Sequence, residues 1–457
     1  MFCNQCGTET LPEHKFCKNC GAVQGTERVV QSAANGAQVE AAGLQVQQVT
    51  PGNVPVGQAS GASGVMPGLI PGAVPGVYYV NPQAMAHPAT AHQTNLLHGL
   101  QARLQSLAST ESLEGFSLPQ MFSEVFKRRS GEAVEEYILV GMAKTTPSIE
   151  MVETGWPKPW LFFRLLAALV IAYFALTFLF MQTGNTNFIP GMMFLGAFAV
   201  PLATLTLFFE LNTPRNVSIH TVGKLFLMGA IVSLAVALLG YSLPIFDISD
   251  MEAGVVEEVA KLLTVVVVMR SVRYKYILNG ILFGAVVGAG FAAFETAGYA
   301  LNDGFLQGLL PTIVQNGSLS HQVMALAMHR GVIGMLQILR LRGILAPLGH
   351  VAWTALAAGA FWRVKQDKKT SVAMLFDKRF LKAFMIPVVL HAIWDAPWQL
   401  PFSGNQILTG IVAWYVVFGL VQQGLRQVKE EQKAQLQTTL ATVEAEMQPE
   451  AAAAAAN

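Results

Sequence analysis

The chain has 457 residues, of which 53% are hydrophobic and only 12% charged. A soluble globular protein carries about 25% charged residues, so this composition excludes an ordinary soluble enzyme and points to a lipid bilayer. A formal net charge of +1 also excludes electrostatic capture of nucleic acid as the main activity, and no nucleic-acid partner is expected.

The chain opens on Cys3-x-x-Cys6 and Cys17-x-x-Cys20, and these are its only cysteines. Two short Cys-x-x-Cys turns supply the four thiolates that tetrahedral Zn(II) requires. Residues 1–25 are too few to bury a core, so metal binding must supply their folding energy. A redox dithiol pair is the alternative. The spacing resembles the zinc ribbons that bacteria append to membrane proteins. Four thiolates leave no open coordination position, so the expectation is a structural zinc on a module that meets a cytoplasmic protein partner. His14, between the pairs, reads as a solvated loop residue. Thiolate ligands imply a reducing compartment, and no secretory signal precedes them.

Residues 26–93 are rich in Gly, Ala, Val, Pro and Gln and nearly free of charge. Repeated Pro-Gly pairs such as Pro67-Gly68 and Pro71-Gly72 interrupt any helix or strand, which predicts a disordered tether. Residues 94–157 read as a small cytoplasmic helical element, with Leu100, Leu104 and Leu107 at helical spacing.

Residues 158–426 carry runs long enough to cross a hydrocarbon core, which takes about 20 residues per helix. Eight spans are expected near Trp160–Met181, Phe188–Phe209, Gly223–Ile245, Gly254–Met269, Tyr276–Leu301, Ile344–Trp362, Phe384–Leu400 and Ile407–Gln423. His321–Arg342 is less apolar and reads as a re-entrant piece, a surface helix or a ninth span. Charge placement arbitrates. Lys127, Arg128, Arg129, Arg273, Lys275, Lys365, Lys368 and Arg379 fall in alternate loops, and the opposite loops are neutral or acidic. Eight spans keep every basic loop on one side, whereas nine would turn the strongest one outward. The expected fold is therefore an all-α polytopic membrane bundle of about eight spans, in a bacterial plasma membrane, with both termini cytoplasmic. Residues 427–457 form a helical, alanine-rich cytoplasmic tail. Arg164 is expected to snorkel, Glu210 to cap the inner end of its own span, and His329 and Arg330 to lie at the interface.

Ionisable groups inside spans are costly and are by default functional. Here they are Glu257, Glu258 and Lys261 in span four, Glu295 in span five, His350 in span six, and His391 with Asp395 in span seven. Glu257 and Glu258 lie in the outer part of span four, and at 1.5 Å per residue Glu295, His350 and Asp395 lie about 8–9 Å, and His391 about 14 Å, from the outer ends of their spans. Groups on four separate helices thus share the outer half of the bilayer. Lys261 is an i,i+3 neighbour of Glu258 and an i,i+4 neighbour of Glu257, so it compensates one carboxylate and leaves the other for acid–base work on water. His391 and Asp395 share a helix face, and Gly280, Gly284 and Gly288 form a groove that lets a neighbouring helix approach.

Glu257-Glu258-x-x-Lys261, Phe291-x-x-x-Glu295 and His391-x-x-x-Asp395, with His350 ahead of Trp353-Thr354, resemble the PrsW-type intramembrane protease family. That family is related to the CAAX-prenyl and Abi endopeptidases. The resemblance covers roughly residues 160–425. It implies endopeptidase cleavage of membrane-anchored substrates, such as anti-sigma factors, near the outer face.

Two mechanisms are expected. In one, His350, His391 and Glu295 or Asp395 hold a catalytic zinc with an open water position. In the other, Glu257 or Glu258 activates water alone and the histidines form the oxyanion site. The competing functions are an ion- or proton-coupled transporter and an inactive scaffold. The absence of internal repeat symmetry argues against the transporter.

Overall fold

The computed structural model describes residues 91–455, apart from 112, 244–251 and 318–319. The four cysteines, the tether and most of the acidic loop after span three lie outside the described residues. All the described residues belong to one unit, His87–Asn457.

Every regular element among the described residues is helical. Three short helices come first, α1 (Ala91–Ala108), α2 (Leu118–Met121) and α3 (Gly131–Ile138). They close the basic end of the bundle. Arg363 donates to the carbonyls of Ala108 and Ser109 at 2.7 and 2.8 Å, and Arg273 donates to that of Gly141 at 2.9 Å. Met121, Val140 and Val152 join the main core.

Two apolar helices follow, α4 (Leu161–Thr183) and α5 (Ile189–Leu211). Glu210 does not cap its own helix, as its position predicts. Its carboxylate accepts the backbone N–H groups of Trp160, Leu161 and Phe162 at 2.7, 2.9 and 2.9 Å. It therefore caps the start of α4, where a helix leaves its first N–H groups unpaired and favours negative charge.

α6 (Ile219–Met228) runs through a π turn into α7 (Leu234–Tyr241). The π turn begins at Gly229, whose missing side chain lets it lie on the backbone of Val287. α8 (Ala253–Val268) follows, then α9 (Ile277–Tyr299), which continues through a second π turn into α10 (Gln307–Asn316). α11 (His321–Leu345) returns, and a 3-10 turn leads directly into α12 (His350–Lys365). α13 (Lys378–Trp394) and α14 (Gly404–Ala455) complete the chain.

Among the described residues six stretches are long and apolar enough to cross a bilayer: 161–183, 186–211, 219–241, 277–316, 321–365 and 401–442. The expected fourth and seventh spans are present as helices, but α8 has only 16 residues and α13 only 17. Both are too short to count among the six.

Residues 321–342 do not make a separate return pass. α11 and α12 form one run of 45 residues that points in a single direction, antiparallel to the 40-residue run of α9 and α10. Glycines hold the two runs in steady register. Gly280 faces Trp362, Gly284 faces Thr354 and Gly288 faces His350. Further out, Gly304 faces Gly334 and Gly308 faces Gly331. The α9–α10 run is about 60 Å long at 1.5 Å per residue, twice a hydrocarbon core of about 30 Å. One end of this hairpin therefore projects beyond the bilayer. His329 and Arg330 are exposed on the projecting part, and Arg330 reaches Thr312 Oγ1 at 3.4 Å.

Two boundaries differ from the sequence expectation, and both matter for the site. α12 begins at His350, after Gly349, rather than at Ile344. α13 ends at Trp394, so Asp395 is its C-cap rather than a residue inside a span.

Candidate active site

Four helix segments converge at the end of the bundle opposite the basic loops. α8 brings Glu257, Glu258 and Lys261 on its first turns, and α9 brings Glu295 near its end. α12 opens with His350, and α13 closes with His391 and Asp395. All seven residues singled out in the sequence lie in one connected cluster.

The tandem glutamates divide. Glu258 is fully buried, and its Oε1 lies 2.6 Å from Lys261 Nζ and 3.0 Å from His391 Nδ1. Glu257 lines a cavity. Its Oε1 accepts from the Tyr241 hydroxyl at 2.9 Å. Its Oε2 lies 3.8 Å from His350 Nδ1 and 3.7 Å from His391 Nε2. Lys261 stands 3.4 Å from Glu257, so it compensates Glu258 more closely and leaves Glu257 the freer acid.

Each imidazole is held by a carboxylate on one nitrogen; the other lies within 3.8 Å of Glu257 but closer to a second partner, Lys261 for His350 and Asp395 for His391. His350 Nε2 is 2.9 Å from Glu295 Oε2, and His391 Nδ1 is 3.0 Å from Glu258 Oε1. Aromatic walls fix the rings: Phe291 lies 5.2 Å from His350 and Trp353 lies 4.5 Å from His391, centroid to centroid. The two imidazoles are 5.0 Å apart. Asp395 Oδ2 sits 3.1 Å from His391 Nε2 and is a third exposed toward the cavity.

Two residues escaped the sequence reading. Tyr241, at the end of α7, donates to Glu257. Arg342, at the end of α11, pairs with Glu295 and donates from Nε to Thr296 Oγ1 at 3.2 Å. Neither lies in a recognisable motif, and an arginine at a helix end reads from sequence as a snorkelling cation.

The residues present fit a divalent metal ion. Glu257, His350 and His391 each offer a ligand atom, and these atoms lie within 4.8 Å of one another. Two imidazoles and a carboxylate are the donor set of many catalytic zinc sites, and carboxylates holding the far ring nitrogens are the usual supporting arrangement. Charge agrees. Four carboxylates (Glu257, Glu258, Glu295 and Asp395) meet two fixed cations, Lys261 and Arg342, which leaves two negative charges for a dication to balance. Glu258 Oε2 has no hydrogen-bond partner among the described residues. Glu295, expected as a ligand, is instead taken up by Arg342 and His350 Nε2.

The cavity beside this group measures about 870 Å³ and is lined by α7, α8, α9 and the end of α13. Its lining includes the apolar Leu234, Leu238 and Phe294 and the polar Tyr299, Asp303 and Asp395. A smaller cavity of about 340 Å³ reaches His350 from the other flank, between Thr296, Arg342, Trp394 and Gln406.

No curated protein and no solved structure matches the chain. Residues 217–421 match the PrsW-protease family, described as PrsW family intramembrane metalloprotease. The match starts ahead of α6 and ends within α14, so it leaves out α4 and α5 but includes every residue of the cluster. The chain thus carries a PrsW family intramembrane metalloprotease domain over residues 217–421 and is a multi-pass membrane peptidase.

Proposed function

We propose that this chain hydrolyses peptide bonds of membrane-anchored proteins near the outer face, at the Glu257–His350–His391 group. The observation that carries the reading is the meeting of these three donors beside a cavity lined by both apolar and polar side chains. A substrate helix can enter past Leu234 and Phe294, while water reaches the polar side chains.

A metal at this group would be held by Glu257, His350 and His391 and would supply Lewis acidity to the scissile carbonyl and the attacking water. The side chains provide the rest. Glu295 and Glu258 fix the two rings. Lys261 neutralises Glu258, so that this buried acid does not compete with Glu257 for protons or water. Asp395, beside His391 and open to the cavity, accepts the proton that the water gives up and returns it to the leaving amine. Phe291, Trp353 and Trp394 keep bulk water from the buried side.

One observation favours a metal-free variant. Lys261 Nζ lies 2.9 Å from His350 Nδ1, so a cation already stands among the donors. In that variant Glu257 takes the proton of water itself, and the histidines face the developing oxyanion.

The basic loops support an arrangement with both termini in the cytoplasm, and Cys3, Cys6, Cys17 and Cys20 support a structural zinc in an amino-terminal ribbon that meets a cytoplasmic protein. Anti-sigma factors are the substrate class that the family resemblance suggests. The test compares membrane-protein fragments in cells carrying the wild-type chain, Glu257→Gln or His391→Ala at equal abundance. Fragments present with the wild type and missing with both variants are expected. Identical fragment sets would defeat the reading.

A further inference from the structure

We propose that Arg342 is a positioning residue of the peptidase centre, acting through Glu295 on His350. The inference rests on the reading of this cluster as that centre. It assigns a role to α11, the one segment whose place the sequence left open.

The geometry fixes the ring of His350 at both nitrogens. Lys261 Nζ lies 2.9 Å from Nδ1, and an ammonium has only protons to give. Nδ1 is therefore the acceptor, and the ring proton sits on Nε2. There Glu295 Oε2, 2.9 Å away, accepts it. Lys261 and Glu295 thus act together to select the tautomer that leaves a lone pair on Nδ1, the nitrogen turned toward Glu257, and loss of either contact weakens that selection.

Glu295 lines a cavity that Glu257 and Asp395 also line, so a countercharge is needed to keep it turned toward His350. Arg342 pairs with the same Oε2, and its guanidinium is itself pinned by Thr296 Oγ1 at 3.2 Å and by the Tyr299 ring at 4.4 Å. Thr296 and Tyr299 belong to the same helix end as Glu295, so α9 and α11 are tied at the level of the reacting group.

The backbone of α11 is held just as closely. A side chain at Gly334 would run into the carbonyl of Gly304, and one at Gly331 would meet the Phe305 carbonyl at 2.8 Å. Small residues at such contacts set the distance between helices. The hairpin therefore delivers Arg342 to a fixed place, and through it the imidazole.

The test uses the full chain in lipid bilayers with ¹⁵N-labelled histidine. His350 is assigned by the signal lost in His350→Gln. The wild type and Arg342→Lys are expected to show a protonated Nε2 and a bare Nδ1, whereas Arg342→Gln and Glu295→Ala show mixed tautomers. Production of the fragments that depend on Glu257 is expected to fall about 10–100-fold in Arg342→Gln, the range for partners that orient a ligating histidine. The fall lies in kcat with KM little changed, Arg342→Lys recovers most of it, and adding Glu295→Ala costs little more. An unchanged His350 tautomer in Arg342→Gln, or losses that multiply in the double variant, would overturn the proposal. The tautomer needs no cleavage to be measured. A failure of the peptidase reading, seen as fragments that survive Glu257→Gln, is thus distinct from a failure of this one.

Discussion

Both ends of the bundle bury polar side chains, but they do so differently. At the basic end Asn212, Asn216 and Asn279 form a closed set. Asn279 Nδ2 donates to Asn212 Oδ1 at 2.9 Å and to Asn216 Oδ1 at 2.6 Å, and Asn216 Nδ2 donates back to Asn279 Oδ1 at 3.3 Å. These groups are neutral, reciprocal and sealed. At the opposite end four acids outnumber two fixed cations, one carboxylate oxygen has no partner among the described residues, and a cavity opens on the cluster. Burying polar groups is costly in either place. In the asparagine set the amides satisfy one another and the result is structure; in the acidic cluster charge and valence are left over, and something else must complete the site.

The largest effects should separate the two ends outright. Glu257→Gln and His391→Ala should reduce cleavage by about 10²–10⁴-fold, the scale of a lost acid–base group, with the folded fraction close to wild type. Removal of metal should come next. A chelator that strips the membrane core should stop cleavage under the metal reading, and metal counting should show one equivalent fewer in a His350→Ala, His391→Ala double variant. Cleavage that persists after stripping selects the mechanism in which Glu257 takes the proton of water and the histidines face the oxyanion.

Asp395→Asn should lower kcat by about 100-fold, the low end for a lost proton acceptor. At the basic end the pattern should invert. Asn279→Leu leaves Asn212 and Asn216 unsatisfied and should cost about 1–3 kcal/mol of stability, read as a lower unfolding midpoint, with cleavage per folded molecule unchanged. Glu210→Gln should cost about 1 kcal/mol by weakening the start of α4, again without touching turnover.

The sequence foretold the convergence of the site better than its connections. The matched depth of Glu257, Glu295, His350 and Asp395 on separate helices follows from helical rise alone, and the structure brings them together. Hydropathy could not see that Gly349 delays the start of α12, or that α13 stops at Trp394, because an apolar run continues through both positions. Those stops place His350 and Asp395 at helix ends, where side chains can turn into a cavity. Tyr241 and Arg342 were invisible for a different reason. Their partners lie 16 and 47 residues away, and only packing brings them near. Glu210 was recognised as a cap but assigned to its own helix, since sequence adjacency does not show that α4 starts beside the end of α5.

The most direct test reconstitutes the purified full chain in lipid vesicles with single-pass membrane peptides of varied sequence and identifies product termini by mass spectrometry. Cuts are expected to cluster at the depth of His350 within the peptide's membrane segment, to be absent with Glu257→Gln and to be retained with Asn279→Leu. Products that persist with Glu257→Gln, or that vanish with a folded Asn279→Leu variant, would contradict the placement of the peptidase centre at the acidic cluster.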